Sequence, residues 1–156
     1  MAATVATSDV LLSVRDLRTQ FRTAQGIMRA VDGVSFDLAA GESLGIVGES
    51  GSGKSVLVRT IMNLLPRTAI VPEPGVVLYK GTDVRKLPPA DAKHFWGTEM
   101  AMVFQDPMTA LNPVKKIGEQ LTESMRFHLN LSKKDAVERA VDLMRDVGIP
   151  EPARRL

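Results

Sequence analysis

The stretch that decides the fold is Gly48-Glu49-Ser50-Gly51-Ser52-Gly53-Lys54-Ser55. It fits the pattern G-x-x-x-x-G-K-[ST], in which each fixed position has a physical reason. The glycines allow positive φ angles, and they let backbone N–H groups approach a phosphate without a β-carbon in the way. Lys54 supplies a point charge for the β- and γ-phosphates, and Ser55 offers a hydroxyl to Mg²⁺. The stretch therefore predicts a loop that binds the phosphates of a nucleoside triphosphate, with ATP and Mg²⁺ as the expected cofactors.

The segments on either side of this loop support that interpretation. Ser43–Val47 is a short apolar run that predicts a strand, and Val56–Leu65 continues without Gly or Pro until Pro66, which predicts a helix. A glycine turn before an ordinary helix would match the motif in on the order of one chain in a few hundred, and the flanking strand and helix make chance rarer. A G-x-G-x-x-G dinucleotide fingerprint fits less well, because no third glycine follows three residues after Gly53. The expected order is strand, phosphate loop, helix.

The first forty residues predict β-structure. The segments Val10–Phe21 and Met28–Leu38 alternate in polarity or carry β-branched residues, with turn signals near Gly26, which is typical of an antiparallel sheet. The residues before Val10 are small and polar, and we expect a flexible N-terminus of nine residues. Further along, the pattern predicts strands at Val76–Tyr79 and Glu99–Phe104 and a helix at Pro89–Trp96.

The last forty residues predict two helices. Ile117, Leu121 and Met125 lie four apart on one helical face, and Ser132–Asp135 has the pattern of a capping box that opens a second helix. Gly148 and Pro150 supply the expected C-terminal stop. We predict a β-subdomain and phosphate-loop core over residues 10–113 and a helical subdomain over 114–156. The predicted buried stripe of the second helix comprises Ala136, Val137, Ala140, Val141, Met144 and Val147.

Composition places the chain among soluble globular proteins and excludes several kinds of site. Its 156 residues are 44% hydrophobic and 24% charged, which suits one domain, and the net charge of +2 predicts no nucleic-acid partner. The absence of cysteine excludes disulfides and thiolate metal sites. The start lacks a signal-peptide pattern and no run approaches about 18 apolar residues, so a membrane role is expected only through partners. His94 and His128 are far apart in sequence and are interpreted as surface or hydrogen-bonded histidines.

Two further positions are candidate site residues. Phe21 ends the first predicted strand, where an aromatic ring could stack on adenine, although a phenylalanine there is more often part of the core. Gln105 follows a predicted strand and precedes Asp106-Pro107, which commonly starts a plain turn. A polar amide at the carboxyl end of a strand in an α/β sheet could instead reach the metal or the γ-phosphate.

With these motifs in place, the chain resembles the nucleotide-binding subunits of ATP-binding cassette (ABC) transporters, and in particular the bacterial importers of oligopeptides, dipeptides and nickel. The run Phe104-Gln105-Asp106-Pro107-Met108-Thr109-Ala110-Leu111-Asn112-Pro113 is the most specific part of the resemblance. The stretches that carry it span nearly the whole chain: Ala30–Phe36, Gly41–Ser55, Met102–Pro113, Ile117–Leu121 and Val147–Pro150.

The resemblance implies a fold and a set of roles. The fold is an α/β P-loop NTPase (RecA-like) core with an N-terminal antiparallel β-subdomain and the start of a helical subdomain. Residues Gly48 to Ser55, with the following Val56, would be the phosphate loop, and Phe21 the residue that stacks on adenine. Lys54 and Gln105 would be the catalytic residues. Ser55 and Gln105 would meet Mg²⁺, and Gln105 would begin the loop that senses the γ-phosphate.

The resemblance also implies partners and a location. The expected partners are a second ATP-binding subunit, identical or different, the integral membrane permease subunits and, indirectly, an extracytoplasmic solute-binding protein. The expected place is the cytoplasmic face of the bacterial inner membrane, as a peripheral subunit. Complete family members continue into a Leu-Ser-Gly-Gly signature, a Walker B aspartate with a catalytic glutamate, and a switch histidine, which this sequence does not contain. We therefore expect an incomplete domain with an exposed apolar sheet edge, which alone does not hydrolyse ATP.

Three classes of function remain open from the sequence. The first is an ATPase subunit that powers import of peptides or a related solute. The second is a soluble P-loop kinase, which would need an acceptor pocket that nothing after Gln105 suggests. The third is a fragment that binds nucleotide without turnover. Co-purification with integral membrane proteins would separate the first two classes, and phosphate release would separate the first from the third.

Overall fold

A computed structural model describes residues 10–106 and 111–156 of the chain. These residues group into two compact units, one up to Ala92 and one from Lys93 on. The predicted boundary at residues 113 and 114 stays a prediction, and so does the flexible N-terminus, which lies outside the described residues. The first unit contains β1 (Val10–Thr23), β2 (Gly26–Ala39), α1 (Lys54–Ile61), β3 (Ala69–Ile70), β4 (Val76–Tyr79), β5 (Thr82–Asp83) and a 3₁₀ turn at Val84–Lys86.

The predicted antiparallel sheet is present, and β1 is its central strand. Strand β1 pairs with β2 on one side and with β3 and β4 on the other, and β4 continues to β5, all antiparallel. The fully buried side chains of Val14, Leu17 and Val77 form the core between the sheet and its covering segments. The predicted strand at Val76–Tyr79 is confirmed as β4.

A bulge in β1 explains which of its side chains face the core. Leu12 and Val14 are buried on the alternating pattern of a strand, and Leu17 and Thr19 resume it one residue out of step. Between Val14 and Leu17 the pairing register shifts by one residue, and Asp16 has a φ of 41°. The backbone N–H of Asp16 donates to Ser35 Oγ at 2.8 Å, so the bulge leaves this donor satisfied.

One ion pair joins the two long strands across their exposed face. Arg15 Nη2 donates to Asp37 Oδ2 at 2.6 Å, and the Arg15 guanidinium also donates to the Phe36 carbonyl at 3.1 Å. The hydrogen bond from Arg15 lowers the pKa of the Asp37 carboxyl, and a second hydrogen bond from Ser13 acts in the same direction.

The helix after the glycine-rich loop is confirmed, but it begins and ends earlier than predicted. Helix α1 spans Lys54–Ile61 rather than Val56–Leu65. It buries Leu57 and Ile61 against the sheet. It ends because Met62 caps it and Asn63 turns to a φ of 53°, a left-handed conformation that Asn tolerates better than most residues.

The two strands predicted at Ser43–Val47 and Glu99–Phe104 are not formed. Neither range takes part in the strand pairing of the described residues, apart from an isolated bridge between Trp96 and Met100. An apolar run becomes a strand only when neighbouring strands satisfy its backbone, and this pairing is lacking in both ranges. As a result, Val47 is 93% exposed and Val103 is 96% exposed.

The two helices predicted for the last forty residues are confirmed. The predicted helix at Pro89–Trp96 is present as α2 (Pro89–Phe95), which spans the boundary between the units, and it is followed by α3 (Ile117–His128), α4 (Lys133–Asp146) and the short α5 (Pro152–Arg155). Ser132 caps α4 as the capping-box pattern predicts, because its Oγ accepts the N–H of Asp135 at 3.2 Å. In the described residues, no helix is both long and apolar enough to span a membrane.

The buried stripe of α4 is narrower than predicted. Ala136, Ala140 and Met144 are buried at intervals of four residues, whereas Val137 and Val147 are exposed. The contacts with α3 and α5 cover only part of the surface of α4, so valines outside that part stay in solvent. The stop at Gly148 is confirmed: its φ is 77°, and its N–H donates to the carbonyl of Arg145 at 2.9 Å.

Candidate nucleotide-binding site

The loop at Gly48–Ser55 has the backbone that the glycine pattern predicts. Gly51 and Gly53 have φ angles of 80° and 90°, which non-glycine residues rarely adopt. The N–H of Ser52 donates to the Glu49 carbonyl at 3.2 Å and closes a tight turn within the loop. Because Gly53 is also the N-cap of α1, the loop leads directly into the helix.

The side chain of Lys54 closes the loop on itself. Its Nζ donates to the carbonyl oxygens of Gly48 at 2.8 Å and Glu49 at 2.7 Å, and it lies 3.3 Å from Ser52 Oγ. The three protons of the ammonium group thus have three oxygen partners within the loop. The positive charge of Lys54 therefore lies within the loop.

The N-terminus of α1 adds a second source of positive potential. The first turn carries no acidic residue, and the N-cap Gly53 offers no side chain to the helix N–H groups. Such a terminus presents backbone donors and the positive end of the helix dipole to an anion. Ser55 is exposed in this first turn and Val56 is half-buried beside it. An exposed hydroxyl on a turn that also favours phosphate is the ligand that a P-loop offers to Mg²⁺, so Ser55 fits the metal.

Phe21 lies in the same unit as the loop. It is the third residue from the end of β1, pairs with Met28 of β2 and Ala69 of β3, and is half-buried. Part of its ring surface is therefore covered by the protein and part remains in solvent. Its stacking on adenine stays a prediction.

Gln105 lies in the other unit, at a bend, and is exposed. Asp106, its neighbour, is exposed as well. The strand expected to carry them is not formed, and Pro107 to Ala110, the next residues of the motif, lie outside the described residues. The predicted role of Gln105 at the metal and the γ-phosphate therefore stays a prediction.

The histidines and the tryptophan contact aromatic rings. The His94 ring stacks on Phe127 with 5.2 Å between centroids, and His128 meets Phe127 edge-on at 4.8 Å. Trp96 packs edge-on against Phe95 at 4.9 Å. Within the described ranges, no group of three or more His, Cys, Asp or Glu residues is arranged to hold a metal ion.

Two contacts that the sequence did not indicate anchor α1 to the hairpin of β1 and β2. Thr19 Oγ1 and Thr60 Oγ1 are 2.7 Å apart, and both residues are buried. The carbonyl oxygen of Ala30 lies against Gly53, well inside the distance that a β-carbon there would need. The only sequence signal for the first contact is a polar residue on the apolar face of α1, which a threonine commonly satisfies within its own helix.

Comparison with known proteins identifies the family. The family model described as ABC transporter matches residues 31–156. The oligopeptide transport ATP-binding protein OppD of Bacillus subtilis is 46% identical over 94% of this chain and 41% of its own length. The probable peptide ABC transporter ATP-binding protein y4tR of Sinorhizobium fredii is 43% identical over 96% of this chain and 44% of its own length. The chain thus spans about two fifths of the length of these relatives.

Solved structures share the fold. The ATP-binding cassette MJ0796, determined as a dimer in a post-hydrolysis state bound to ADP and Pi, aligns with a TM-score of 0.72 at 21% identity. The alignment covers 92% of this chain and 60% of that one. The predicted fold class, a P-loop NTPase core with an N-terminal antiparallel β-subdomain and the start of a helical subdomain, is confirmed.

Proposed function

This chain belongs to the ABC transporter family, and from that membership we propose that it is part of an ATP-binding subunit that powers the import of peptides or a related solute across the cytoplasmic membrane. This solute class is supported by two relatives that are named as an oligopeptide and a dipeptide transport ATP-binding protein. The proposal covers the protein to which these residues contribute, since the chain spans about two fifths of its relatives.

Within this function, the loop Gly48–Ser55 holds the triphosphate. Lys54 places its charge on the β- and γ-phosphates, and the N–H groups of the loop and of the first turn of α1 donate to the phosphate oxygens. The resemblance to the family assigns Ser55 and Gln105 as the residues that would hold Mg²⁺, and the ion would supply positive charge to neutralise the triphosphate. The observation that carries this proposal is the Lys54 ammonium, held by the carbonyls of Gly48 and Glu49 in the loop itself.

Phe21 provides the adenine contact. An aromatic ring that is half-covered by its own sheet keeps one part of its surface for stacking, and stacking does not require a hydrogen-bonding partner. This arrangement favours a nucleobase at the end of β1 while the phosphates occupy the loop before α1.

The subunit works with partners. A second ATP-binding subunit completes the dimer, integral membrane permease subunits form the path for the solute, and an extracytoplasmic solute-binding protein delivers it. The subunit lies peripherally at the cytoplasmic face of the membrane, and nucleic acid is not a partner. The dimeric state of the MJ0796 cassette supports the pairing of two such domains.

The 156 residues alone bind Mg-ATP without hydrolysing it. Phosphoryl transfer to water needs a group that orients or deprotonates the water and a carboxylate for the metal. The sequence has no match to the Walker B acid, the catalytic glutamate or the switch histidine. Lys54 therefore contributes to binding in this chain and to catalysis only in the complete subunit.

The test is calorimetric binding of Mg-ATP to the chain and to Lys54→Ala, followed by phosphate release on the same samples. The matched control is Lys134→Ala, because the Lys134 side chain is 84% exposed on α4, far along the chain from the loop. We expect binding to the chain and to Lys134→Ala, strong loss in Lys54→Ala, and phosphate release at the level of buffer. Equal binding by all three proteins would contradict the proposed phosphate site, and phosphate release that Lys54→Ala abolishes would contradict the proposed lack of turnover.

A further inference from the structure

The buried threonine pair links the two parts of the proposed nucleotide site. Thr19 is 0% exposed and Thr60 is 2% exposed, and their hydroxyl oxygens are 2.7 Å apart. Thr60 Oγ1 also lies 2.7 Å from the carbonyl oxygen of Val56, to which it donates. A hydroxyl has one proton, so Thr60 gives its proton to Val56 and accepts the proton of Thr19. The result is a chain of two hydrogen bonds, which we call the relay, that runs from Thr19 on β1 through Thr60 to Val56 in the first turn of α1.

Both ends of this relay lie next to proposed ligand-binding residues. Val56 follows Ser55 directly in the chain. Thr19 lies two residues before Phe21 on β1. The extra residue of the register shift between them is on β2 and not on β1. The side chains of β1 therefore keep their alternation, and Thr19 and Phe21 belong to the same face of the strand. The relay thus joins the turn that carries the metal-binding hydroxyl to the strand that carries the base-stacking ring.

A second contact, together with the relay, fixes the orientation of α1 relative to the hairpin of β1 and β2. The start of α1 at Gly53 rests against the carbonyl of Ala30, the extra residue where the β1–β2 register shifts between Thr19 and Gln20. One contact alone would let the helix pivot about Gly53. Contact at Gly53 and again at Thr60, almost two turns later, fixes the direction of the helix axis against the hairpin.

We infer that Thr19 and Thr60 are positioning residues that set the phosphate loop relative to the base-stacking strand, and so select ligands that carry both a triphosphate and a base. This inference rests on the proposed function. The phosphate loop Gly48–Ser55, here called the cradle, is closed by the hydrogen bonds of Lys54 and does not include the threonines. A ligand without a base therefore needs only the cradle, whereas ATP needs the cradle and β1 at the correct separation.

The test compares Mg-ATP with inorganic tripolyphosphate in the same calorimetric titration. The variant is the double substitution Thr19→Val and Thr60→Val, which keeps the side-chain volume and leaves no buried hydroxyl without a partner, so the fold is retained. The control is Thr19→Ser with Thr60→Ser, which keeps both hydroxyls. We expect the double valine variant to bind ATP roughly three- to tenfold more weakly, the size of effect of one hydrogen bond, with the affinity for tripolyphosphate unchanged. The serine pair should restore the ATP affinity.

A cycle with Phe21→Ala completes the test. If the threonines act through the base, the valine pair should weaken ATP binding in the wild-type background and have no further effect once Phe21→Ala has removed the ring. Equal weakening of both ligands, or of neither, would overturn the inference and leave the phosphate site intact. Failure of the unsubstituted chain to bind either ligand, or indifference of ATP binding to Phe21→Ala, would instead contradict the proposed function on which the inference rests.

Discussion

The carbonyl oxygen of Ala30 occupies the space that a β-carbon would need at Gly53. This contact joins a register shift in β2 to the N-cap of α1, the residue directly before the helix. Gly53 also has a φ of 90°, so both its backbone conformation and its surroundings require the absence of a side chain. The glycine of the motif is thus needed for packing against the hairpin as well as for the approach of an anion.

The substitution Gly53→Ala should separate these two requirements when it is compared with Gly81→Ala. Gly81 has a similar φ of 81°, but nothing lies within 4 Å of its added β-carbon. We expect Gly81→Ala to cost about 1 kcal/mol from backbone strain alone, and Gly53→Ala to cost at least about 2 kcal/mol more from the clash with Ala30. Urea unfolding followed by circular dichroism measures both. Equal costs would show that β2 yields to the new methyl group without strain.

The pair of Arg15 and Asp37 predicts how stability changes in acid. The hydrogen bond from Arg15 lowers the pKa of Asp37 in the folded protein relative to the unfolded value of about 3.9. The stabilisation is therefore complete above that unfolded value and is lost as the pH falls from there through the folded pKa. In thermal melts below about pH 4, Asp37→Asn should show a shallower loss of Tm with falling pH than the unsubstituted chain. Arg15→Gln should flatten the same slope, and an unchanged slope in both variants would contradict the assignment.

Ser132 should stabilise α4 through its cap. Its Oγ accepts the N–H of Asp135 and donates to the Asp135 carboxylate at 2.8 Å. Removal of an N-cap hydroxyl typically costs about 1 kcal/mol, so we expect Ser132→Ala to lower the free energy of unfolding by that amount. Ser132→Thr keeps a hydroxyl that can both accept from the backbone and donate to Asp135, and it should retain most of the stability. A loss as large in Ser132→Thr as in Ser132→Ala would show that the hydroxyl is not the source of the effect.

Much of the fold could be predicted from local sequence patterns. The hairpin, the helix after the loop and the cap at Ser132 each depend on residues that are close in sequence, and all three are present. The strands at Ser43–Val47 and Glu99–Phe104 failed because a strand needs partners, and an apolar run contains no information on whether a partner is available. The exposure of Val137 and Val147 on α4 could not be predicted for a related reason. A stripe of apolar residues on a helix does not show how much of that stripe the neighbouring elements cover.

In the candidate site, too, the features that depend on neighbouring residues in the sequence could be predicted, and those that depend on packing between elements could not. The loop Gly48–Ser55 could be predicted because the motif is contiguous and each of its positions has its own chemical reason. Thr19 and Thr60 could not, because their contact depends on how α1 lies on β1, and each threonine alone has the appearance of an ordinary strand or helix residue. The bulge that aligns Thr19 with the core was equally hidden.

The exposed run at Ser43–Val47 predicts self-association of this chain. Leu44, Ile46 and Val47 are all exposed, and the backbone beside them is in no strand pairing of the described residues. Such a segment offers hydrogen bonds and apolar surface to the same segment of another copy. We expect oligomers in sedimentation velocity runs at micromolar concentration, and a shift to monomer in Val47→Asp.

A matched variant distinguishes strand pairing from general adhesion. Val114 is 88% exposed and lies outside any predicted strand. Strand pairing predicts that Val114→Asp leaves the oligomers unchanged while Val47→Asp dissolves them. Dissociation by both variants would indicate that exposed apolar area alone drives association, and a monomeric unsubstituted chain would contradict the prediction.

The arrangement of partners around β1 implies an order of folding. Strand β1 meets β2 across the two-residue turn at Ala24 and Gln25, but it meets β4 only when Leu12 reaches Tyr79 across most of the unit. Closing a short loop costs less chain entropy than closing a long one, so the hairpin can form early and serve as the nucleus on which the remaining sheet assembles. The loop Gly48–Ser55 lies within the segment that closes last. We therefore expect the loop to reach its final geometry late in folding, when α1 docks on a hairpin that has already formed.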